Sequence, residues 1–359
     1  MLKFIAPLLS GNKILPITSF IKLETIDGKL RINATDLNVG ITIDVDCEIN
    51  KEGICFAEGN AFVKLVNSIN DENILLSEKS NGVHVNTVSG KYTLAAVSSE
   101  DIMMFPVVDL ENLTEIFDAD FQTVCKPLKT AISFVAKDEL RPALCCINVR
   151  SVDGLMVIEA TDAHRLFKNT TQISCNNNAL LPSIFTKYVT NIPVSGNTNI
   201  KVYKKSESTI VAVVGNTTIT AKLTEGKFPN IDPVIPKSYE SSISCSKHDL
   251  ISSINRCLIL TNTQTNCVLM NLNTPLTIKS LDMTLNKEAS ETLLHSGNIK
   301  MQMEIGFNGL FLQEILNSLT YDYVNINFIS PEKPIVIYNE DDDNKIDDTT
   351  LFLLMPLKV

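Results

Sequence analysis

The sequence predicts an α+β fold built three times over in tandem, each copy an antiparallel sheet carrying helices on one face. Three observations predict it. Short motifs recur in fixed order at a spacing of about 123 residues, and a repeat sets the architecture before any single motif does. Stretches such as Lys201 to Val214 and Thr217 to Leu223 are β-branched and alternate in polarity, as half-buried antiparallel strands do. Segments starting at Phe62, Phe185 and Leu312 place apolar residues at i, i+3, i+4 and i+7, one face of a short helix.

The elements follow in order. Leu30 to Asp36 recurs as Met156 to Asp162 and more faintly as Leu276 to Asp282, with the aspartates 126 and 120 residues apart. Phe62 to Ile69 returns as Phe185 to Ile192 and as Leu312 to Leu319, and Phe105-Pro106 returns as Phe228-Pro229, closing the first two copies. A further helix opens the second copy at Thr123 to Lys137 and the third at Lys247 to Thr261. The first copy has almost no room for one. Asp36 lies only 35 residues from the start and Lys13 to Thr25 reads as chain entering a strand, so that first helix is a stub or is absent. Domain boundaries follow at 1–108, 109–236 and 237–359.

Composition narrows the function classes. With 44% hydrophobic and 20% charged residues the chain is globular, which excludes disordered and collagen-like classes. No apolar run approaches the roughly 18 residues of a membrane span. The apolar start, Met1 to Ser10, is short for a signal peptide and is broken by Pro7. Nine cysteines with no Cys-x-x-Cys pair read as reduced thiols of a cytoplasmic protein. A net charge of −10 argues against a coat held on nucleic acid by phosphate neutralisation. That average hides a split, because the expected helices carry +5 and everything else −15. A surface lined by those helices would attract a polyanion while the rest repelled it.

Enzyme motifs are missing: no phosphate-binding loop, no His-Glu-x-x-His and no Gly-x-Ser-x-Gly is present. The best catalytic constellation would pair Cys145 or Cys146 with His164 and Asp162, but the two cysteines, flanked by apolar residues, read as buried strand positions with nothing to lower a thiol pKa. Glu340 to Asp343 with Asp347-Asp348 reads as a solvated loop between strands, since it lacks the alternating ligands and turn glycine of a calcium loop. Neither a metal nor a cofactor is expected.

Ala160-Thr161-Asp162-Ala163-His164-Arg165-Leu166, Gly226-Lys227-Phe228-Pro229, Met303-Glu304-Ile305-Gly306-Phe307-Asn308 and the terminal Leu354-Met355-Pro356-Leu357 together resemble the bacterial-type sliding clamp, the beta subunit of DNA polymerase III. In the first copy the likeness runs from Leu15-Pro16-Ile17 through Ala34-Thr35-Asp36-Leu37 to Phe105-Pro106. The resemblance implies a non-catalytic processivity factor: a homodimeric ring with sheets outside and helices lining the hole, threaded by duplex DNA without regard to sequence. The residues facing DNA would be Lys64, Lys126, Lys129, Lys137, Arg141, Lys187, Lys247 and Arg256. It also implies a groove that takes short apolar peptides of the replicative polymerase, the clamp loader and other proteins with a clamp-binding motif. By position that groove is Leu144, Thr161, His164, Arg165, Leu166, Pro229, Val234, Leu353, Met355, Pro356 and Leu357. Two departures stand out. Pro142-Ala143 follows Arg141 where clamps often carry an aromatic pair, and Pro233 stands where some members carry an arginine. The short N-terminus and asparagine-rich composition suit a clamp of a phage or other mobile element. The competing reading is an adaptor that keeps the groove but does not encircle DNA.

Overall fold

The repeat is a repeat of elements. In the computed structural model, which describes residues 2–9, 16–70, 73–79, 82–95, 111–206 and 208–358, each copy has two helices, the second followed by three strands; four strands separate the helices in the first two copies and five in the third, and in the second and third copies a strand also precedes the first helix. The first copy begins with a 3-10 turn, Leu2–Ile5, and a single helical turn, α1 (Ala6–Leu9), before its longer helix, α2 (Gly59–Ser68). The second carries α3 (Phe121–Ile132) and α4 (Ser183–Thr190), and the third α5 (Lys247–Ile259) and α6 (Gly309–Ser318). No helix among the described residues is long and apolar enough to cross a membrane.

The first helix of the first copy is therefore a stub, and packing shows what it retains. Leu2, Ile5, Leu8 and Leu9 are buried. A Cβ on Gly59, the first residue of α2, would sit 2.7 Å from Leu9; a Cβ on Gly309, the first residue of α6, would sit 2.8 Å from Leu258 of α5. One leucine seated on one glycine is thus common to the stub and the full helix. Gly309→Ala would push these helices apart and is expected to cost about 1–3 kcal/mol of stability, as overpacking does. A denaturation midpoint equal to that of the wild type would refute this.

The strands do not stay within their copies. In one sheet the order is Ile54–Glu58, Phe20–Ile26, Lys29–Thr35 and Val39–Asp46 from the first copy, then Thr217–Lys222, Thr209–Val214, Asn199–Ser206 and Thr114–Asp120 from the second. The join is antiparallel, with Ile43 opposite Thr217. The same join recurs between the second and third copies, where Arg165–Ser174 pairs with Ile346–Leu354 and Leu166 stands opposite Leu353. Beyond Ile346–Leu354 that sheet continues through Ile335–Glu340, Tyr323–Phe328 and Ser241–Ser246. Two compact units result: residues 1–129 with 173–224, and residues 130–172 with 225–359. In the second unit the rings of Phe134, Phe167 and Phe352 form a core cluster with centroids 5.4–5.7 Å apart.

In the two remaining sheets the counterparts of the joining strands stand at a sheet edge. The third copy holds Lys287–Leu293, Leu276–Asp282, Cys267–Asn271 and Glu304–Asn308, and the first copy holds Leu75–Lys79, Gly82–Asn86 and Lys91–Leu94. Lys287–Leu293 is the third-copy counterpart of Val39–Asp46 and Arg165–Ser174. Lys91–Leu94 is the first-copy counterpart of Thr217–Lys222 and Ile346–Leu354.

Several sequence expectations change. The helix at Thr123 to Lys137 ends at Ile132, so Lys137 lies outside it and α3 carries +2 rather than +3. Its end is a turn, with Ser133 and Phe134 N–H groups bonding back to Thr130 and Ala131. Cys145 closes a 3-10 turn, Pro142–Cys145, and only Cys146 enters a strand. Glu340 is not in a solvated loop. It ends a strand, is buried, and accepts bonds from Ser244 Oγ (2.8 Å) and Asn325 Nδ2 (3.0 Å). Leu15 and Phe105-Pro106 lie outside the described residues.

Candidate functional site: an apolar groove

The aspartate that marks each copy is a turn former. Asp36 Oδ1 accepts the N–H groups of Asn38 and Val39, Asp162 Oδ1 those of His164 and Arg165, and Asp282 Oδ1 those of Thr284 and Leu285, all within 3.2 Å. Short side-chain acceptors of this kind fix tight turns. In the first two copies a threonine completes the turn: Thr35 Oγ1 donates to Val39 O, and Thr161 Oγ1 donates to Arg165 O (2.7 Å). Leu37 and Ala163 take up the left-handed conformation between them, each at φ 75°.

This turn delivers Arg165 into the second unit. Its side chain is buried at 5% exposure, with the guanidinium 5.0 Å from the Phe134 ring centroid and 4.5 Å from that of Phe311. It donates to Asp162 Oδ2 (2.9 Å) and Ser133 O (2.8 Å) and pairs with Glu314 Oε2. Asn308 caps α6, accepting the N–H groups of Leu310 and Phe311. Phe311 and Glu314, three residues apart on one helix face, therefore both meet the guanidinium.

Against this scaffold lies a groove of about 580 Å³, a size suited to a small ligand or short peptide. Leu166 and Leu353 form part of its floor with Thr161 and Leu144, and Val234 and Met355 present exposed apolar surface at its walls. One wall is the turn at Arg141 to Leu144 and another the irregular segment from Glu225 to Val234. The two walls come close at Gly226, whose φ is +130° and whose Cβ would sit 3.3 Å from that of Ala143.

Of the residues expected to line a groove, Leu144, Thr161, Arg165, Leu166, Pro229, Val234, Leu353 and Met355 do so. His164, Pro356 and Leu357 do not line this cavity. The His164 ring lies 6.0 Å from that of Phe311, and Leu357 N–H donates to Gly306 O (2.8 Å). The cavity is also lined by Pro142, Ala143, Ala163, Glu225, Gly226, Lys227, Asn230 and Ile231, none of which the sequence placed there, and by Arg141, which the sequence placed at DNA. Gly226 and Lys227 stand in a motif already singled out, so the motif's spacing held the signal and its residue roles did not.

The basic residues divide. Lys64, Lys126, Lys129 and Lys187 are exposed on α2, α3 and α4. Lys247 is half-buried and donates to Leu319 O (3.3 Å) at the end of α6. Arg256 is held by Glu291 through two bonds of 2.7 and 2.8 Å, so its charge is already matched. Arg141 is exposed at the groove.

The cysteine constellation is not assembled. Both Asp162 oxygens serve the turn and Arg165. Burial and the nearby Glu139 and Asp138 carboxylates push the Cys145 thiol up, away from the thiolate a nucleophile needs.

Three descriptions of the DNA polymerase III beta subunit match in order: its N-terminal domain over residues 2–107, its central domain over 119–230 and its C-terminal domain over 232–352. Relatives include the Beta sliding clamp of Staphylococcus epidermidis, 22% identical over 354 residues covering 94% of this chain and 92% of that protein. The Beta sliding clamp of Chlamydia trachomatis is 25% identical over 364 residues, covering 96% and 81%. Among solved structures, a DNA polymerase sliding clamp from Pseudomonas aeruginosa superposes with TM-score 0.89 at 20% identity, covering all of this chain and 96% of that one. A further structure from the same organism, bound to griselimycin, also gives 0.89, at 21% identity with the same coverage.

Proposed function

Because the chain belongs to the DNA polymerase III beta subunit family, we propose that it is a sliding clamp, a processivity factor that encircles duplex DNA and tethers the replicative polymerase, the clamp loader and other clamp-binding proteins. The observation that carries this is the run of three beta-subunit domains, in order, across residues 2–352. The clamp performs no chemistry of its own. Nine cysteines, all outside disulfides, suit a reducing cytoplasm.

The repeated join supports a ring. Two of three equivalent strand pairs are made within the chain, and the third pair of strands, Lys287–Leu293 and Lys91–Leu94, is left with open edges. An open edge is a template for pairing with another chain. Two copies placed head to tail, each offering one edge to the other, pair both and close. Lys64, Lys126, Lys129 and Lys187 supply sequence-blind attraction to phosphate, which permits sliding because no base is read.

The ring is tested by retention. After loading, the protein should remain on circular duplex DNA and leave when the circle is cut. Equal retention on both forms would instead support the adaptor. The groove, Leu144, Thr161, Arg165, Leu166, Pro229, Val234, Leu353 and Met355 with His164, Pro356 and Leu357 beside it, takes the peptides of partner proteins and, on this reading, griselimycin. Truncating two apolar anchors, Leu166→Ala with Met355→Ala, should weaken griselimycin binding by about 2 kcal/mol or more. Unchanged affinity in a folded double variant would refute the assignment.

A further inference from the structure

Behind the groove floor stand four charged side chains that the lining does not include. Side chains two apart on a strand share a face. On Leu155–Thr161, Thr161 lines the groove and Glu159 stands one step back; on Arg165–Ser174, Leu166 lines it and Lys168 stands one step back. Glu159, only 1% exposed, accepts from Asn148 Nδ2 (2.8 Å) and from Arg150 Nε (3.0 Å) and Nη2. A carboxylate so buried has to be paired, and the pairing aims the far edge of the Arg150 guanidinium outward. There it meets Asp232: Nη2 lies 3.3 Å from Oδ1 and Nη1 3.4 Å from Oδ2. Lys168 Nζ reaches Asp232 Oδ1 at 3.1 Å.

Asp232 belongs to the irregular wall, residues 225–236. Among the described residues no backbone hydrogen bond ties that wall to a strand; its own bonds are local, Val234 N–H to Ile231 O (3.0 Å) and Asp232 N–H to Asn230 Oδ1 (3.2 Å). Two buried apolar side chains, Phe228 and Ile231, and the Asp232 carboxylate hold it to the sheet. Apolar burial is non-directional. The ion pairs give the wall its direction.

We propose that Asp232 is the positioning residue of the groove, its carboxylate clasped by Lys168 and Arg150 so that the Pro229–Val234 wall stands where a bound peptide needs it and binding responds to salt. This rests on reading the cavity as the peptide groove. Asp232 is half exposed, at 50%, so dissolved ions reach the clasp; the screening length falls from about 10 Å at 0.1 M salt to about 3 Å at 1 M. Lys168, with Arg150 adding to it, holds the Asp232 carboxyl below the usual carboxylate range. It stays charged throughout the neutral range, which makes salt rather than pH the lever. Without that carboxylate, Arg150 keeps Glu159 while Lys168 loses its ion-pair partner, and the cluster is one charge short of balance.

The test measures fluorescently labelled griselimycin on the full chain at low and high sodium chloride. Wild type should lose affinity as salt rises. Asp232→Asn should lose about five- to tenfold at low salt, the scale of a partly exposed ion pair network converted to affinity, and show little further salt response. Asp232→Glu should recover most of the loss, and Lys168→Gln should behave like Asp232→Asn, so the clasp is read even if one variant folds poorly. Hydrogen exchange of amides 227–235 should quicken in Asp232→Asn while the sheet amides stay protected. Wild-type affinity and salt response in Asp232→Asn and Lys168→Gln, with binding abolished by Leu166→Ala, would overturn the clasp and leave the groove standing. Failure of the wild type to bind, or wild-type affinity in Leu166→Ala as well, would overturn the groove reading and the clasp with it.

Discussion

Arg165→Ala is expected to lower the stability of the second unit by about 3 kcal/mol, the scale for removing one member of a buried charge network. Two carboxylates, of Asp162 and Glu314, lose their cation, and the faces of Phe134 and Phe311 lose the guanidinium between them. Glu314 is 51% exposed and can turn to water, which is why the low end of the range applies. Arg165→Lys should recover less than half, because an ammonium cannot stack between two rings while bonding in three directions. The readout is the denaturation midpoint followed by circular dichroism. A midpoint within error of the wild type would show that the buried guanidinium is not what joins α6 to the turn.

The second large effect concerns the open edge at Lys287–Leu293. In an antiparallel strand neighbouring residues aim their N–H groups to opposite sides. Of Ala289 and Ser290, opposite Ser280 and Lys279 respectively, one therefore bonds inward and the other faces the edge. Proline removes the N–H. One of Ala289→Pro and Ser290→Pro should leave the fold intact yet reduce the mass in solution from that of two 39.6 kDa chains to that of one, and the other should also destabilise its own sheet. Light scattering with a thermal melt separates them. A dimer of unaltered strength in both variants would mean that this edge takes no part in ring closure.

How much was legible in advance follows from how local each signal is. Turns and helices are written in neighbouring residues: the aspartates at 36, 162 and 282 stood out in the sequence only as markers of the repeat, and the structure makes each of them the former of the same tight turn. The spacing of Phe62, Phe185 and Leu312 placed three helices to within three residues at their starts. Helix ends were less visible: nothing periodic distinguishes Ile132 from Lys137, and the break comes from bonds in the turn at Ser133 and Phe134. The burial of Glu340 was invisible because its partners, Ser244 and Asn325, are 96 and 15 residues away. For the same reason motif matching placed eight groove residues and missed Ala143, which lines the cavity only because Gly226 approaches it from 83 positions later in the chain.

The strand join at Ile43 and Thr217 also sets a schedule for synthesis. A chain leaving the ribosome displays the edge of Val39–Asp46 long before Thr217–Lys222 exists to cover it, a gap of about 174 residues, or roughly 10–35 seconds at bacterial-scale elongation rates. Over that interval the nascent first unit carries an unsatisfied edge of the kind that seeds misassembly between chains. Moderating synthesis until residue 224 has emerged, or supplying a holdase, should therefore raise the soluble yield more than any change made after release.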